Sequence, residues 1–167
     1  MMRKIWNFIT SILLILYILV VALLFLPQAA GLKPMYVLSG SMEPTYHVGS
    51  LIYIKPGNAD KLEVSRPVTY TMGNSDVVVT HRVIKIDKEK RMFYTKGDAN
   101  LSEDSGATSF DHIIGYPLLS IPYLGYVAAF ASKTAGKIIL VTGLAILLIM
   151  SYLFDFLTKR GGKSEKN

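Results

Sequence analysis

The chain has 167 residues, 51% of them hydrophobic and only 18% charged, with a mean hydropathy of +0.37 and no cysteine. The length suits one domain of ordinary size, and the missing cysteines exclude disulfide frameworks and thiolate metal sites. The net charge of +6 does not mark a nucleic-acid binder, because Lys33 to Lys137 carry twelve basic against ten acidic residues, whereas a nucleic-acid footprint is a basic patch on the folded domain.

Ile5 to Leu26 is an uncharged run of 22 residues, long enough to cross a bilayer as a helix. Arg3 and Lys4 precede it, as in a signal peptide. A secretory h-region spans only about 7–15 apolar residues and ends at a small-x-small site, so this run reads as an uncleaved anchor. Residues 1–32 therefore form the N-terminal end and anchor. Ile138 to Leu157 is a second apolar run of 20 residues, with Asp155 near its end. A charge inside a membrane is costly and often functional; beside Lys159 and Arg160, Asp155 fits an interfacial position. The basic residues beyond both spans (Arg3 and Lys4; Lys159, Arg160, Lys163 and Lys166 in the 158–167 tail) predict cytoplasmic termini. Residues 33–137 then form an extracytoplasmic or lumenal domain, with Ser41 close to the membrane on the exit side.

The middle segment reads as β. Ser50 to Ile54 is a short apolar strand ended by Pro56-Gly57. Pro67 to Thr71 is a second, with proline at its first position, where strands tolerate it. Asp76 to Ile86, "DVVVTHRVIKI", is a long β-branched strand, and Met92 to Thr95 is its hairpin partner across a charged turn. "TKGDANLSEDSGATS" is a polar loop. "HIIGYPLLSIPYLGYVAAF" resumes the apolar pattern, with prolines that argue against one long helix. Its Tyr116, Tyr123 and Tyr126 are candidates for an interfacial aromatic belt.

A serine nucleophile needs a base and a group that orients the base. The histidines are His47, His81 and His112. His81 stands mid-strand, on the face shared by Val77, Val79 and Val83, where a titratable ring needs a polar partner or a job. His47 reads as structural. A hairpin return brings the loop holding Asp98 and Asp104 toward His81. On spacing alone, Asp98 capping a Gly-Asp turn with Glu103 and Asp104 solvated accounts for these acids equally well.

"SGSMEPTY", "THRVIKI" and "TKGDANLSED", in that order between two apolar spans, resemble the type I signal peptidase family. The likeness is to its endoplasmic-reticulum type, found in eukaryotes, archaea and some endospore-forming bacteria. The resemblance implies a mainly β, signal-peptidase-like domain with an apolar face against the bilayer, held between two transmembrane helices. It implies a serine endopeptidase that cleaves signal peptides from exported preproteins, docks them by strand addition, and selects small residues at positions −1 and −3. Ser41 matches the nucleophile and His81 the base, where the common bacterial branch has lysine. Asp104 matches the third catalytic residue and Asp98 a second important acid. Ser39 matches the position whose hydroxyl joins the Ser41 backbone N–H in supporting the oxyanion. Gly40 is expected to permit the tight backbone that exposes Ser41, and Pro44 to fix the turn. The family pattern has two adjacent acids at the end of its third box, where this chain has Glu103 before Asp104. No cofactor or metal is implied, and the partners are preprotein substrates, the lipid bilayer and membrane subunits, with no nucleic acid. The competing class is a catalytically silent, membrane-anchored scaffold of a secretion or surface-assembly complex. A specialised processing peptidase with few substrates is a further enzymatic alternative.

Overall fold

A computed structural model describes residues 2–73 and 75–164. The residues after Ser164, and the side chains of Arg3, Lys159, Arg160 and Lys163, fall outside that description. So do most of the charges on which the orientation of the spans rests.

The chain divides into two compact units, Leu26–Ala129 and the residues flanking it on both sides. The flanking unit is helical. Helix α1 covers Met2–Ala29 and α3 covers Thr134–Ser164. Both are long and apolar enough to cross a membrane, over Lys4–Ala29 and Thr134–Thr158. Trp6 of α1 packs on Phe154 of α3, with ring centroids 4.8 Å apart.

The other unit is a curled antiparallel sheet. Its strands are β1 (Lys33–Tyr36), β2 (Leu51–Pro56), β3 (Pro67–Thr71), β4 (Val78–Asp87), β5 (Met92–Lys96), β6 (Thr108–Ser109) and β7 (Ile113–Ile121), followed by helix α2 (Leu124–Ser132). The spatial order is β1-β2-β7-β3-β4-β5-β6. β2, β3, β4 and β5 lie where their β-branched and aromatic runs predict them. β4 begins at Val78 rather than Asp76. β1 and β6 carry no signal of their own: they are four and two residues long, and each is held by pairing with a longer neighbour.

Curling removes the usual alternation from β2, in which Leu51, Ile52, Tyr53 and Ile54 are all buried. The core centres on Val68, Tyr70, Val83 and Phe93, with Tyr70 and Phe93 packed edge to face at 5.3 Å. Tyr116 belongs to the periphery of this core and donates its hydroxyl to the Asn58 carbonyl at 2.6 Å. It is thus part of the domain's packing and not of a belt with the exposed Tyr123 and Tyr126. In β4 the register against β5 shifts between Val83 and Lys85, so Ile84 is an extra residue, as a bulge requires. His81 and Val83 precede the shift and share the inward, buried face.

Candidate active site

The site is built from one turn, one strand and one loop. Ser39 is extended, and Gly40–Met42 form a single 3₁₀ turn closed by the Glu43 N–H on the Gly40 carbonyl at 3.0 Å. Met42 is buried and anchors the turn. The Glu43 carboxylate accepts the Val48 N–H at 3.1 Å and meets His47 Nδ1, so the exposed His47 braces this turn from outside. Pro44 follows through a cis peptide bond. The Ala99 N–H donates to the Ser41 carbonyl at 2.9 Å, which lays the loop after β5 directly on the turn.

Gly97 makes that close approach possible. A Cβ there would lie 2.6 Å from the Ser41 carbonyl oxygen. Gly40 is different: its φ is not positive, and a Cβ would meet only ordinary contacts at 3.5 Å and beyond. The tight backbone expected of Gly40 therefore makes no demand for glycine. The steric demand falls on Gly97, in a segment remote along the chain.

Ser41 Oγ lies 3.0 Å from His81 Nε2 and 3.3 Å from Ser39 Oγ. His81 Nδ1 meets Asp104 Oδ2 at 2.5 Å. A carboxylate only accepts, so Nδ1 carries the proton and Nε2 is left as the acceptor for the serine hydroxyl. Asp104 also accepts from Thr95 Oγ1 at 2.6 Å, and its N–H bonds the Thr95 carbonyl at 2.9 Å. His81 is 8% exposed, so the pair is largely shielded from water.

Asp98 faces elsewhere. Its carboxylate takes Nε and Nη2 of Arg82 at 2.7 and 2.6 Å, and the Thr45 hydroxyl. Hydrogen bonding to the Arg82 guanidinium holds the Asp98 carboxyl below its ordinary range against the opposing effect of burial, with Thr45 adding to the shift. Asp98 raises the pKa of Arg82 in turn. Arg82 also donates to the Ser65 carbonyl at 2.8 Å. This ion pair ties the loop to β4 one residue from His81. Glu103 is exposed. Of the two loop aspartates, Asp104 touches the imidazole and Asp98 does not.

Sequence reading did not single out Arg82, Thr45, Thr95 or Tyr70. The adjacency of His81 and Arg82 was a usable signal, since a charged residue beside a mid-strand histidine also needs a partner. Thr95 and Tyr70 had no local signal.

A cleft of about 750 Å³ opens at Ser41 and His81, walled by Pro34 to Leu38 on one side and by Val77 to Thr80 on the other. β4 pairs with β3 over Val78–Arg82 but with β5 only from Arg82 onward. Among the described residues, no strand pairs with its second edge just before His81. β1, at the end of the sheet, presents an edge as well.

No protein-family model matches the chain. It is 32% identical over 124 residues to the signal peptidase complex catalytic subunit SEC11 of Fusarium vanettenii, covering 68% of this chain and 72% of that protein. Against the signal peptidase complex catalytic subunit SEC11C of Rattus norvegicus it is 30% identical over 125 residues, 67% of this chain and 65% of the relative. Against signal peptidase I W of Bacillus subtilis it is 37% identical over 90 residues, 52% of this chain and 47% of the relative. The chain thus spans just under two thirds of the rat protein and about half of the bacterial one.

Proposed function

Because this chain belongs to the signal peptidase family, we propose that it is a membrane-bound serine endopeptidase that removes N-terminal signal peptides from exported preproteins. The observation that carries the reading is the continuous hydrogen-bonded line from Ser41 Oγ through His81 to Asp104.

In this reading Ser41 Oγ attacks the carbonyl carbon of the scissile peptide while His81 Nε2 takes its proton. Asp104 keeps the imidazole in the required tautomer and stabilises the imidazolium. The Ser39 hydroxyl and the Ser41 N–H are the oxyanion donors, each worth about 3 kcal/mol in the transition state. His81 then delivers the proton to the leaving amine, which departs as the new N-terminus of the mature protein. Water, deprotonated by the same imidazole, hydrolyses the acyl-enzyme and restores Ser41. No step calls for a metal or an organic cofactor.

The cleft and the open edge of β4 suit a substrate in extended form, docked by strand addition, with main-chain hydrogen bonds for affinity and small pockets for alternate side chains. Small residues at −1 and −3 of the cleavage site follow from the family resemblance. Ser41 comes only twelve residues after the end of α1, which fits cleavage at the outer face of the membrane with both termini cytoplasmic. Relatives named as subunits of a signal peptidase complex support membrane partner subunits for this chain.

The test is cleavage of a preprotein by the purified full chain in detergent. Cleavage at the signal-peptide junction that disappears in Ser41→Ala supports the peptidase. A folded wild-type protein that cleaves none of a panel of preproteins, alone or in native membranes, makes it the silent scaffold instead.

A further inference from the structure

Asp104 is gripped by more than His81, and on the same carboxylate oxygen, Oδ2. Thr95, on β5, is 2% exposed and holds Asp104 twice: through its carbonyl on the Asp104 N–H at 2.9 Å and through its hydroxyl on Oδ2 at 2.6 Å. The two bonds together define both where the residue sits and how its carboxylate is turned. Tyr70, on β3 and 1% exposed, brings its hydroxyl within 2.8 Å of Thr95 Oγ1 and, at the long distance of 3.4 Å, of Asp104 Oδ2.

The directions of these bonds follow from proton counting. An ionised carboxylate only accepts, and threonine has a single hydroxyl hydrogen. Thr95 therefore donates to Asp104, and Tyr70 must donate to Thr95. Burial pushes the Tyr70 hydroxyl up to about 12, so it stays protonated and remains a donor. A hydroxyl placed among Val68, Val83 and Phe93 is costly unless bonded. Its single proton goes to Thr95 Oγ1, and through it toward the proposed catalytic acid.

We infer that Thr95 is a positioning residue of the catalytic site: its hydroxyl, oriented by Tyr70, holds the Asp104 carboxylate against His81 and disperses part of its charge, which sets the pH at which His81 becomes available as a base. The inference rests on the reading of Ser41, His81 and Asp104 as a triad. Charge-assisted hydrogen bonds are the stronger ones, and a carboxylate relieved of one attracts the imidazolium more strongly. Among the described residues, Asp104 acts on the imidazole in contact and Asp98 at longer range, itself paired with Arg82.

The experiment follows the histidine protons directly. The full chain, labelled with ¹⁵N-histidine in detergent, is titrated by NMR as wild type, Thr95→Val, Thr95→Ser and Tyr70→Phe, with preprotein kcat/KM measured across the same pH range. In Thr95→Val, His81 should titrate about half to one pH unit higher, roughly three- to tenfold in proton affinity. The acid limb of kcat/KM should move with it. Thr95→Ser should restore both, while His47 and His112 stay in place. Tyr70→Phe should move His81 the same way by less, and it provides the test if Thr95→Val does not fold. A lower Tm with an unmoved His81 titration, or a Thr95→Ser variant that behaves like Thr95→Val, would overturn the inference and leave Thr95 as packing. If His81 shifts as expected while even the wild type cleaves nothing, the peptidase reading fails and the positioning role stands.

Discussion

Alanine at position 97 probes how closely the loop after β5 lies on the nucleophile turn. The new Cβ would stand 2.6 Å from the Ser41 carbonyl oxygen and 2.7 Å from Asn100 Nδ2. The Asn100 side chain can swing aside. The Ser41 carbonyl cannot, because it is backbone within a 3₁₀ turn and is itself bonded to Ala99 N–H. A carbon rarely comes closer than 3.0 Å to such an atom, so relief requires at least 0.4 Å of movement. Taken up along the 3.0 Å line from Ser41 Oγ to His81 Nε2, that shift leaves the hydroxyl outside normal hydrogen-bond range. A misplacement of about 1 Å can cost about 10²-fold, so Gly97→Ala should lower kcat/KM about five- to fiftyfold. Overpacking of this kind also costs about 1–3 kcal/mol of stability, which a melting curve would register as a modest fall in Tm. The assay is cleavage of a fluorogenic peptide spanning a signal-peptide junction. Gly40→Ala is the comparison: its Cβ would have its nearest neighbours at 3.5 and 3.9 Å, and activity should stay within about threefold. A fully active Gly97→Ala beside a dead Gly40→Ala would refute the reasoning, because the turn would then be governed by its own glycine.

The two loop aspartates should separate in the same assays. Asp104→Asn should keep its fold and lose about 10⁴-fold in turnover, as in the triad template, whereas Asp98→Asn should lose about 1–3 kcal/mol of stability with its charge-assisted bonds and lose activity only in parallel. A folded, inactive Asp98→Asn beside an active Asp104→Asn would reverse the assignments. The depressed pKa of Asp98 also gives stability a pH dependence. Its folded-state value lies below the ordinary 3.8, so the contribution is complete above the unfolded-state value and is lost as pH falls through the folded one. The Tm difference between wild type and Asp98→Asn should be constant near neutrality and should close below about pH 4; a gap that persists unchanged into that range would contradict it. For topology, reporters fused at Gly73 and Asn167 should lie on opposite sides of the membrane, and finding both on one side would sink the two-span arrangement.

The two apolar runs, the chief strands and the three short boxes were legible in the sequence because each is a local property. Twenty-two uncharged residues need no distant partner to be long enough for a bilayer, and "DVVVTHRVIKI" declares a strand by its own β-branching. The mid-strand setting of His81 was enough to ask for a polar partner. It was not enough to say which, since Asp98 and Asp104 lie six residues apart in one loop and spacing favours neither. That choice was made by strand pairing: β5 runs against β4 in a register shifted at Ile84, and Thr95, opposite Val83, holds Asp104 by its backbone. Asp98 was turned away by Arg82, whose side chain alternates to the other face of the same strand. The demand for glycine at position 97, the line from Tyr70 through Thr95, and the insertion of β7 between β2 and β3 were equally illegible. Each is a contact between segments far apart along the chain, and side-chain period and composition carry no information about which strands lie side by side.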